Sequence, residues 1–233
     1  MSIIAYPTDK LLAYAYVIYR INGGYIKHTQ RFSEDKPTIW ANKEAVAFTA
    51  ATEFAHGIPF QVWVPPEFTP IEVTDADLEN VEKAKKHFRR YTLLSLGDDL
   101  SQFQKDIFAS ICKEENSPKQ IGLLSYVPAF VEREMENIFY KRRIKDEFSS
   151  TEHIKDPLVK QTVEIIKKVP MPNYDTNLYV GVVNGNLVSF TKSESLEDTL
   201  YTINAKIKGT DWERETRLPL TRLNYVKLKK MEK

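Results

Sequence analysis

The last third of the chain most constrains the fold, because it contains five short strand-like segments in quick succession. They lie between residues 158 and 230 and are separated by short polar connections. The turn Asn184–Asn186 contains an Asn-Gly pair, which tight hairpins favour because both residues tolerate a positive φ. Five short strands joined by tight turns within about 70 residues are typical of a small closed or partly open barrel. We therefore predict a β-barrel for residues 151–233.

Three short motifs in this region resemble those of a loosely described group of phage and plasmid proteins. They are a polar entry at Glu152–Ile154, a lysine-bearing strand at Ala205–Gly209 and a closing strand at Leu220–Arg222. The group has a Gly where this chain has Lys155, and a His after the lysine-bearing strand that is absent here. The resemblance implies an OB-like barrel. OB barrels bind single strands by stacking bases on exposed rings and following phosphates with Lys and Arg.

The aromatic and cationic residues of the predicted barrel are therefore the candidate nucleic-acid contacts. The stacking candidates are Tyr179, Phe190, Tyr201 and Trp212, and the cationic candidates are Lys192, Lys206, Lys208, Arg217 and Arg222. The alternative is that about half of the aromatic residues point inward and fill the barrel, while outward lysines only protect strand edges. Residues 151–233 contain fourteen Lys and Arg against eleven Asp and Glu. So small an excess argues against tight, salt-driven binding.

The first seventy residues are predicted to form three strands, a helix and a fourth strand. The predicted strands are Ile3–Tyr6, Leu11–Ile21, Tyr25–Phe32 and Pro59–Pro66, and the predicted helix lies between Asn42 and Gly57. A hairpin is predicted at Asn22–Gly24. This order resembles the RNase H-like fold, with Ile3–Pro7, Ala15–Ile18 and Asn22–Gly24 in the places of the family's motifs. The resemblance implies an RNase H-like α/β unit over residues 1–74.

Active RNase H-like enzymes hold two divalent metal ions with a cluster of carboxylates. The resemblance implies that Asp9, Glu44 and Glu67 would form such a cluster and bind Mg²⁺, although Tyr6 stands where the first-strand Asp would fall. The alternative is that Glu44 only favours the dipole of its helix, while Asp9 and Glu67 are ordinary loop carboxylates. We favour this alternative, which leaves a non-catalytic scaffold without a cofactor.

Residues 75–150 are predicted to be helical, because apolar residues recur at helical intervals in several segments. One predicted helix has a concentrated basic cluster at Lys83–Tyr91, and a second such cluster lies at Tyr140–Lys145. The residues of the first cluster that we predict to contact phosphates are Lys85, Lys86, Arg89 and Arg90. The alternative is a solvated helix face. Cys112 has no Cys or His nearby in sequence, which makes a zinc site improbable.

The predicted fold class is therefore α+β, with an RNase H-like unit (1–74), a helical segment (75–150) and an OB-like barrel (151–233). The leading hypothesis is a non-catalytic protein of phage-type DNA metabolism that binds single-stranded DNA or RNA. The alternatives are a Mg²⁺-dependent nuclease and a protein-interaction subunit, either of a replication or transcription assembly or as an inhibitor of a host factor. The net charge is +1, and neither a signal peptide nor a membrane span is evident, so we expect a cytoplasmic protein without a membrane partner.

Overall fold

The computed structural model describes residues 5–31, 38–54, 64–69, 71–95, 97, 100–147, 152–171, 174–196, 200–214 and 216–231. By internal packing the chain divides into two compact units, Met1–Glu134 and Met135–Lys233. The first unit is mostly helical and the second contains a closed barrel, so the predicted α+β class is confirmed.

The first unit is a set of helices around one hydrophobic core. Its elements are β1 (Tyr6–Pro7), α1 (Thr8–Ile21), α2 (Asn42–Phe54), α3 (Asp75–Arg89), α4 (Tyr91–Leu94), α5 (Gln102–Ile111), β2 (Glu115–Asn116), a 3₁₀ turn (Pro118–Gln120), α6 (Ile121–Leu124) and the start of α7 (Val127–Glu147). Strands β1 and β2 pair antiparallel over two residues each. The helical character predicted for residues 75–150 is confirmed in the described part of that segment.

Helix α1 occupies the place of the strand predicted at Leu11–Ile21, so that prediction is wrong. Its apolar residues are buried on several sides because α1 packs against both α2 and α3. A continuous apolar run suits a buried strand or a buried helix equally well, so periodicity alone could not separate them. The hairpin predicted at Asn22–Gly24 is also wrong. These residues end α1, with the N–H of Gly24 donating to the carbonyl of Tyr19 at 2.9 Å and Gly23 at a φ of 64°.

The RNase H-like arrangement of residues 1–74 is not confirmed. It requires three antiparallel strands before the helix, and α1 replaces the second of them. Among the described residues of the predicted strand Tyr25–Phe32, only Gln30 forms a bridge, with Ile39. The predicted strand Pro59–Pro66 lies mostly outside the described residues. The predicted helix after Asn42 is confirmed as α2.

The second unit is built on a closed barrel of five strands, as the strand pattern predicted. The strands are β3 (Leu158–Met171), β4 (Thr176–Val183), β5 (Asn186–Lys192), β6 (Leu200–Trp212) and β7 (Pro219–Lys230). They close in the order β3-β4-β5-β7-β6, and only the β5–β7 pair among them is parallel. Alternate residues point inward and fill the barrel with apolar and aromatic side chains.

The part of α7 in the second unit covers one outer side of the barrel. Tyr140 and Ile144 are buried against Ile166, Val180 and Leu187, which lie on the outer surfaces of β3, β4 and β5. Ile165 fills the interior, and the next residue, which is the additional residue of a bulge between Ile165 and Lys167, packs under the helix. The outer surface of β4 and β5 is therefore partly closed to a ligand.

Candidate nucleic-acid interface

Strands β6 and β7 form a long antiparallel pair, which we call the ribbon (Leu200–Trp212 and Pro219–Lys230). The ribbon is much more basic than the rest of the chain. It contains six cationic residues, Lys206, Lys208, Arg222, Lys227, Lys229 and Lys230, and a single carboxylate, Asp211. The whole chain has a net charge of only +1, so folding concentrates positive charge on one pair of strands.

The outer face of the ribbon presents four of these cations. Their neighbours Ala205, Ile207, Leu223, Val226 and Leu228 pack toward the barrel core. Strand alternation therefore directs the intervening cations outward. These are Lys206, Arg222, Lys227 and Lys229, all of them exposed. Lys208 is exposed as well, as the additional residue of a bulge in β6 between Ile207 and Gly209. None of the described carboxylates lies within 4.0 Å of the amine of Lys206, Lys208, Lys227 or Lys229, so these charges are available to a ligand.

Two bulges interrupt the strands on either side of β6, and they face the same short stretch of it. On β3, Leu158 pairs with Ala205 but Gln161 pairs with Ile203, so β3 has one additional residue. On β7, Lys227 pairs with Asn204 but Asn224 pairs with Lys206, so β7 also has one additional residue. Bulges of this kind redirect side chains and are frequent beside binding sites.

Each bulge contains a residue with a left-handed backbone and places an apolar side chain in solvent. Lys160 and Tyr225 have φ values of 49° and 50°. Val159, beside Lys160, is 63% exposed, and Tyr225 itself is 76% exposed. A positive φ is uncommon for residues with these side chains, and such outliers cluster at functional sites.

The space between the two bulges is an open groove of about 450 Å³, which we call the bulge groove. Its lining consists of Pro157, Leu158, Val159, Asn204, Ala205, Lys206, Tyr225 and Lys227. The Asn204 side chain supports the β3 bulge by accepting a hydrogen bond from the N–H of Lys160 at 2.9 Å. The amine of Lys206 lies 5.7 Å from the centroid of the Tyr225 ring, which is within cation–π range. The groove thus combines an exposed ring with two cations.

The hairpin end of the ribbon contains a second exposed aromatic residue. Trp212 is 56% exposed and packs edge to face with His153, at a centroid distance of 5.6 Å. Arg222 is close to Asp211, with 3.9 Å between Nη1 and Oδ2. Because side chains alternate along β6, Trp212 points to the opposite face of the strand from Asp211. Trp212 therefore does not extend the surface that contains the bulge groove.

Three of the candidates lie on other strands of the barrel, Tyr179, Phe190 and Lys192, and the structure buries the two aromatic ones. Tyr179 is fully buried, stacks on Phe190 in the barrel interior at 5.7 Å and donates its hydroxyl hydrogen to the carbonyl of Glu194 at 2.9 Å. It cannot stack on a base in this arrangement, so the prediction of Tyr179 as a contact is wrong. Lys192 lies on β5 rather than on the ribbon, and its amine is 2.8 Å from the carboxylate of Glu194.

The basic cluster of α3 is partly neutralised within the first unit. The amine of Lys85 lies 2.5 Å from the carboxylate of Asp9, and the guanidinium of Arg90 is paired with Glu134. Lys86 and Arg89 are exposed. Two of the four predicted phosphate contacts, Lys86 and Arg89, are therefore exposed without an ion-pair partner among the described carboxylates.

Arg90 belongs to a polar cluster that joins three helices around the carboxylate of Glu134. His87 lies 2.8 Å from this carboxylate, Gln104 donates to it at 3.2 Å, and Tyr91 donates its hydroxyl hydrogen. Burial alone would raise the pKa of Glu134. The hydrogen bonds from His87 and Tyr91 and the charge of Arg90 outweigh that effect and lower its pKa to about 2. The cluster therefore holds a charged carboxylate.

The three carboxylates predicted to bind metal are not brought together. Asp9 is paired with Lys85, Glu44 accepts a hydrogen bond from Thr29, and Glu67 is exposed. In the part of the chain that the structure describes, no three His, Cys, Asp or Glu side chains are grouped so that they could hold a metal ion. Among the described residues, the nuclease alternative therefore has no assembled metal centre.

Tyr225, Val159 and Lys227 are absent from the predicted contacts, although the sequence carries a signal for both bulges. Core-facing residues of a regular strand are an even number of positions apart. Leu223 and Val226 are three positions apart, and Leu158 and Val163 are five apart. Each odd separation marks an inserted residue. Recognising it requires knowing which residues face the core.

Comparison of the chain with protein-family models, with curated proteins and with solved structures finds no match. Among the described helices, none combines the length and the apolar character that a membrane span requires.

Proposed function

We propose that this protein binds single-stranded nucleic acid, DNA or RNA, with the bulge groove and the outer face of the ribbon. The observation that carries the proposal is the exposed ring of Tyr225 in a groove that also contains Lys206 and Lys227. An unpaired base can stack on that ring while the two amines contact the flanking phosphates. The resemblance to phage and plasmid proteins supports a role in DNA metabolism, alongside a replication or transcription protein.

The barrel topology supports the assignment of this unit as OB-like. It is a five-stranded barrel in which the third and fifth strands pair parallel, so the chain is not a simple meander. OB-type barrels commonly bind oligonucleotides on the face of their second and third strands. Here those strands are β4 and β5, where Val180 and Leu187 are buried under α7. The proposed interface therefore lies on the fourth and fifth strands instead.

Fluorescence anisotropy with a labelled oligothymidylate of twelve nucleotides at low salt tests the proposal. We expect binding by the unaltered protein and a marked loss in Tyr225→Ala. Stacking on an aromatic side chain contributes about 1–3 kcal/mol per base, which corresponds to a loss of roughly 5- to 150-fold. Tyr225→Phe retains the ring and should bind within about twofold of the unaltered protein, since stacking needs the π face rather than the hydroxyl group.

Tyr174→Ala is the matched control, because Tyr174 is a comparably exposed tyrosine of the same unit, 71% exposed, outside the groove. We expect it to leave the affinity unchanged. Equal losses in Tyr174→Ala and Tyr225→Ala would mean that the groove is not the site. An unaltered protein that fails to bind at low salt would remove the proposal altogether, leaving the protein-interaction hypothesis.

A further inference from the structure

The outward cations of the ribbon are arranged in a regular series along its length. The pairing of β6 with β7 places Lys229 opposite Thr202, Lys227 opposite Asn204, and Arg222 opposite Gly209. Lys206 lies between the last two of these, opposite Asn224. Counted along β6, the four charges therefore stand at positions 202, 204, 206 and 209.

These intervals correspond to a continuous path. Lys206 and Arg222 are also only two regular residues apart, because β6 has one additional residue between Ile207 and Gly209. Three intervals of two residues, each roughly 6.6 Å, extend over about 20 Å. Neighbouring strands are only about 5 Å apart, which keeps all four cations in a narrow line although they come from both strands. The bulge groove, with Lys227 and Lys206 in its lining, lies in the middle of this line.

The hairpin end of the path is defined by Arg222 and Asp211. The guanidinium of Arg222 lies over Gly209, where its Nη2 would be 3.4 Å from an added Cβ. Since Gly209 has no side chain, the outer surface stays open at this point. Beyond it, Asp211 is the single carboxylate of the ribbon, so the run of positive potential ends there.

We propose, building on the function proposed above, that the ligand is an extended oligonucleotide of at least about four nucleotides, and not a mononucleotide or a dinucleotide. Its phosphates follow Lys229, Lys227, Lys206 and Arg222, and one base of its middle part stacks on Tyr225. Four nucleotides is the lower end of the site size of OB-type barrels, about 4–16.

The salt dependence of the affinity measures the number of phosphate contacts. For single strands, the logarithm of the affinity falls with the logarithm of the salt concentration with a slope of about −0.7 per phosphate neutralised. Four contacts predict a slope of about −2.8, which is a loss of roughly 600-fold between 50 and 500 mM salt. Each of Lys229→Gln, Lys227→Gln, Lys206→Gln and Arg222→Gln should make the slope shallower by about 0.7. Lys168→Gln, on β3 outside the path, is the matched control and should leave the slope unchanged.

Length dependence is measured by competition. Unlabelled oligothymidylates of one, two, four and eight nucleotides compete against a labelled octanucleotide, and we expect competition to strengthen steeply up to about four nucleotides. The path is wrong if a dinucleotide competes as well as an octanucleotide, or if Lys229→Gln and Arg222→Gln leave the slope unchanged while Tyr225→Ala still weakens binding. In those cases the bulge groove remains the proposed binding site, and only the extended path along the four cations is contradicted. Absence of octanucleotide binding to the unaltered protein would overturn both.

Discussion

At the scale of single residues, the account depends most on Tyr225. Its backbone is left-handed, which costs about 1–3 kcal/mol for a residue that is not glycine. Its ring is directed to solvent beside the amine of Lys206 rather than into the barrel. Tyr179 has the opposite environment, buried and stacked on Phe190. Two tyrosines on strands of the same barrel thus differ in exposure. The bulge in β7 exposes Tyr225, so only this tyrosine can contact a ligand.

Asp211 provides a residue-level prediction, because its carboxylate competes with phosphate for Arg222. Asp211→Asn should raise the affinity for single-stranded oligonucleotides, by up to about fivefold at low salt, and the gain should disappear at high salt. Anisotropy titrations at the two salt concentrations measure it. Glu194→Gln removes an equal charge from the ion pair with Lys192, outside the ribbon, and should have a smaller effect. Equal gains in both variants would show that only net charge matters.

At the scale of secondary-structure elements, the polar cluster around Glu134 ties the start of α7 to α3, α4 and α5 within the first unit. Because the folded-state pKa of Glu134 is lowered from 4.5 to about 2, the cluster stabilises the fold fully at pH values above about 4.5. That contribution is lost progressively as the pH falls toward 2. A shift of this size corresponds to roughly 3 kcal/mol.

The Glu134→Gln substitution tests this linkage. At pH 7 it should lower the free energy of unfolding by roughly 2–3 kcal/mol, because the buried donors lose their charged acceptor. The difference from the unaltered protein should shrink between pH 4.5 and pH 2, where Glu134 itself becomes protonated. Urea unfolding followed by helical circular dichroism measures it. Glu79→Gln, on the exposed side of α3, is the control. A difference that stays constant with pH would contradict the linkage.

Some of these elements can be predicted from the sequence and others cannot. The barrel was predictable because alternation with tight turns is a local signal, and β3 to β7 follow it. Helix α1 could not be told from a strand, because a continuous apolar run suits a buried strand and a buried helix equally well. Lys206 and Arg222 were found as candidates from the composition of their strands. Their alignment with Lys227 could not be found from the sequence, because it depends on the register of bulged strands. That register is a non-local property.

At the scale of the whole molecule, overall charge conceals the feature that matters. A net charge of +1 indicates no general attraction to nucleic acid, yet the ribbon has six cations and one acid. The outer surface of β4 and β5 is partly covered by α7 in the second unit. We therefore expect the single-stranded nucleic acid to lie along β6 and β7.

Photochemical cross-linking tests this central claim most directly. A single strand of eight nucleotides with one 5-iodouridine is irradiated with the full chain, and the linked peptides are identified by mass spectrometry. The account predicts cross-links on Tyr225 and its neighbours in β7, lost when Tyr225 is replaced by Ala. Cross-links confined to the basic segment Lys83–Tyr91 of the first unit, or to Tyr174, with none on the ribbon, would contradict it.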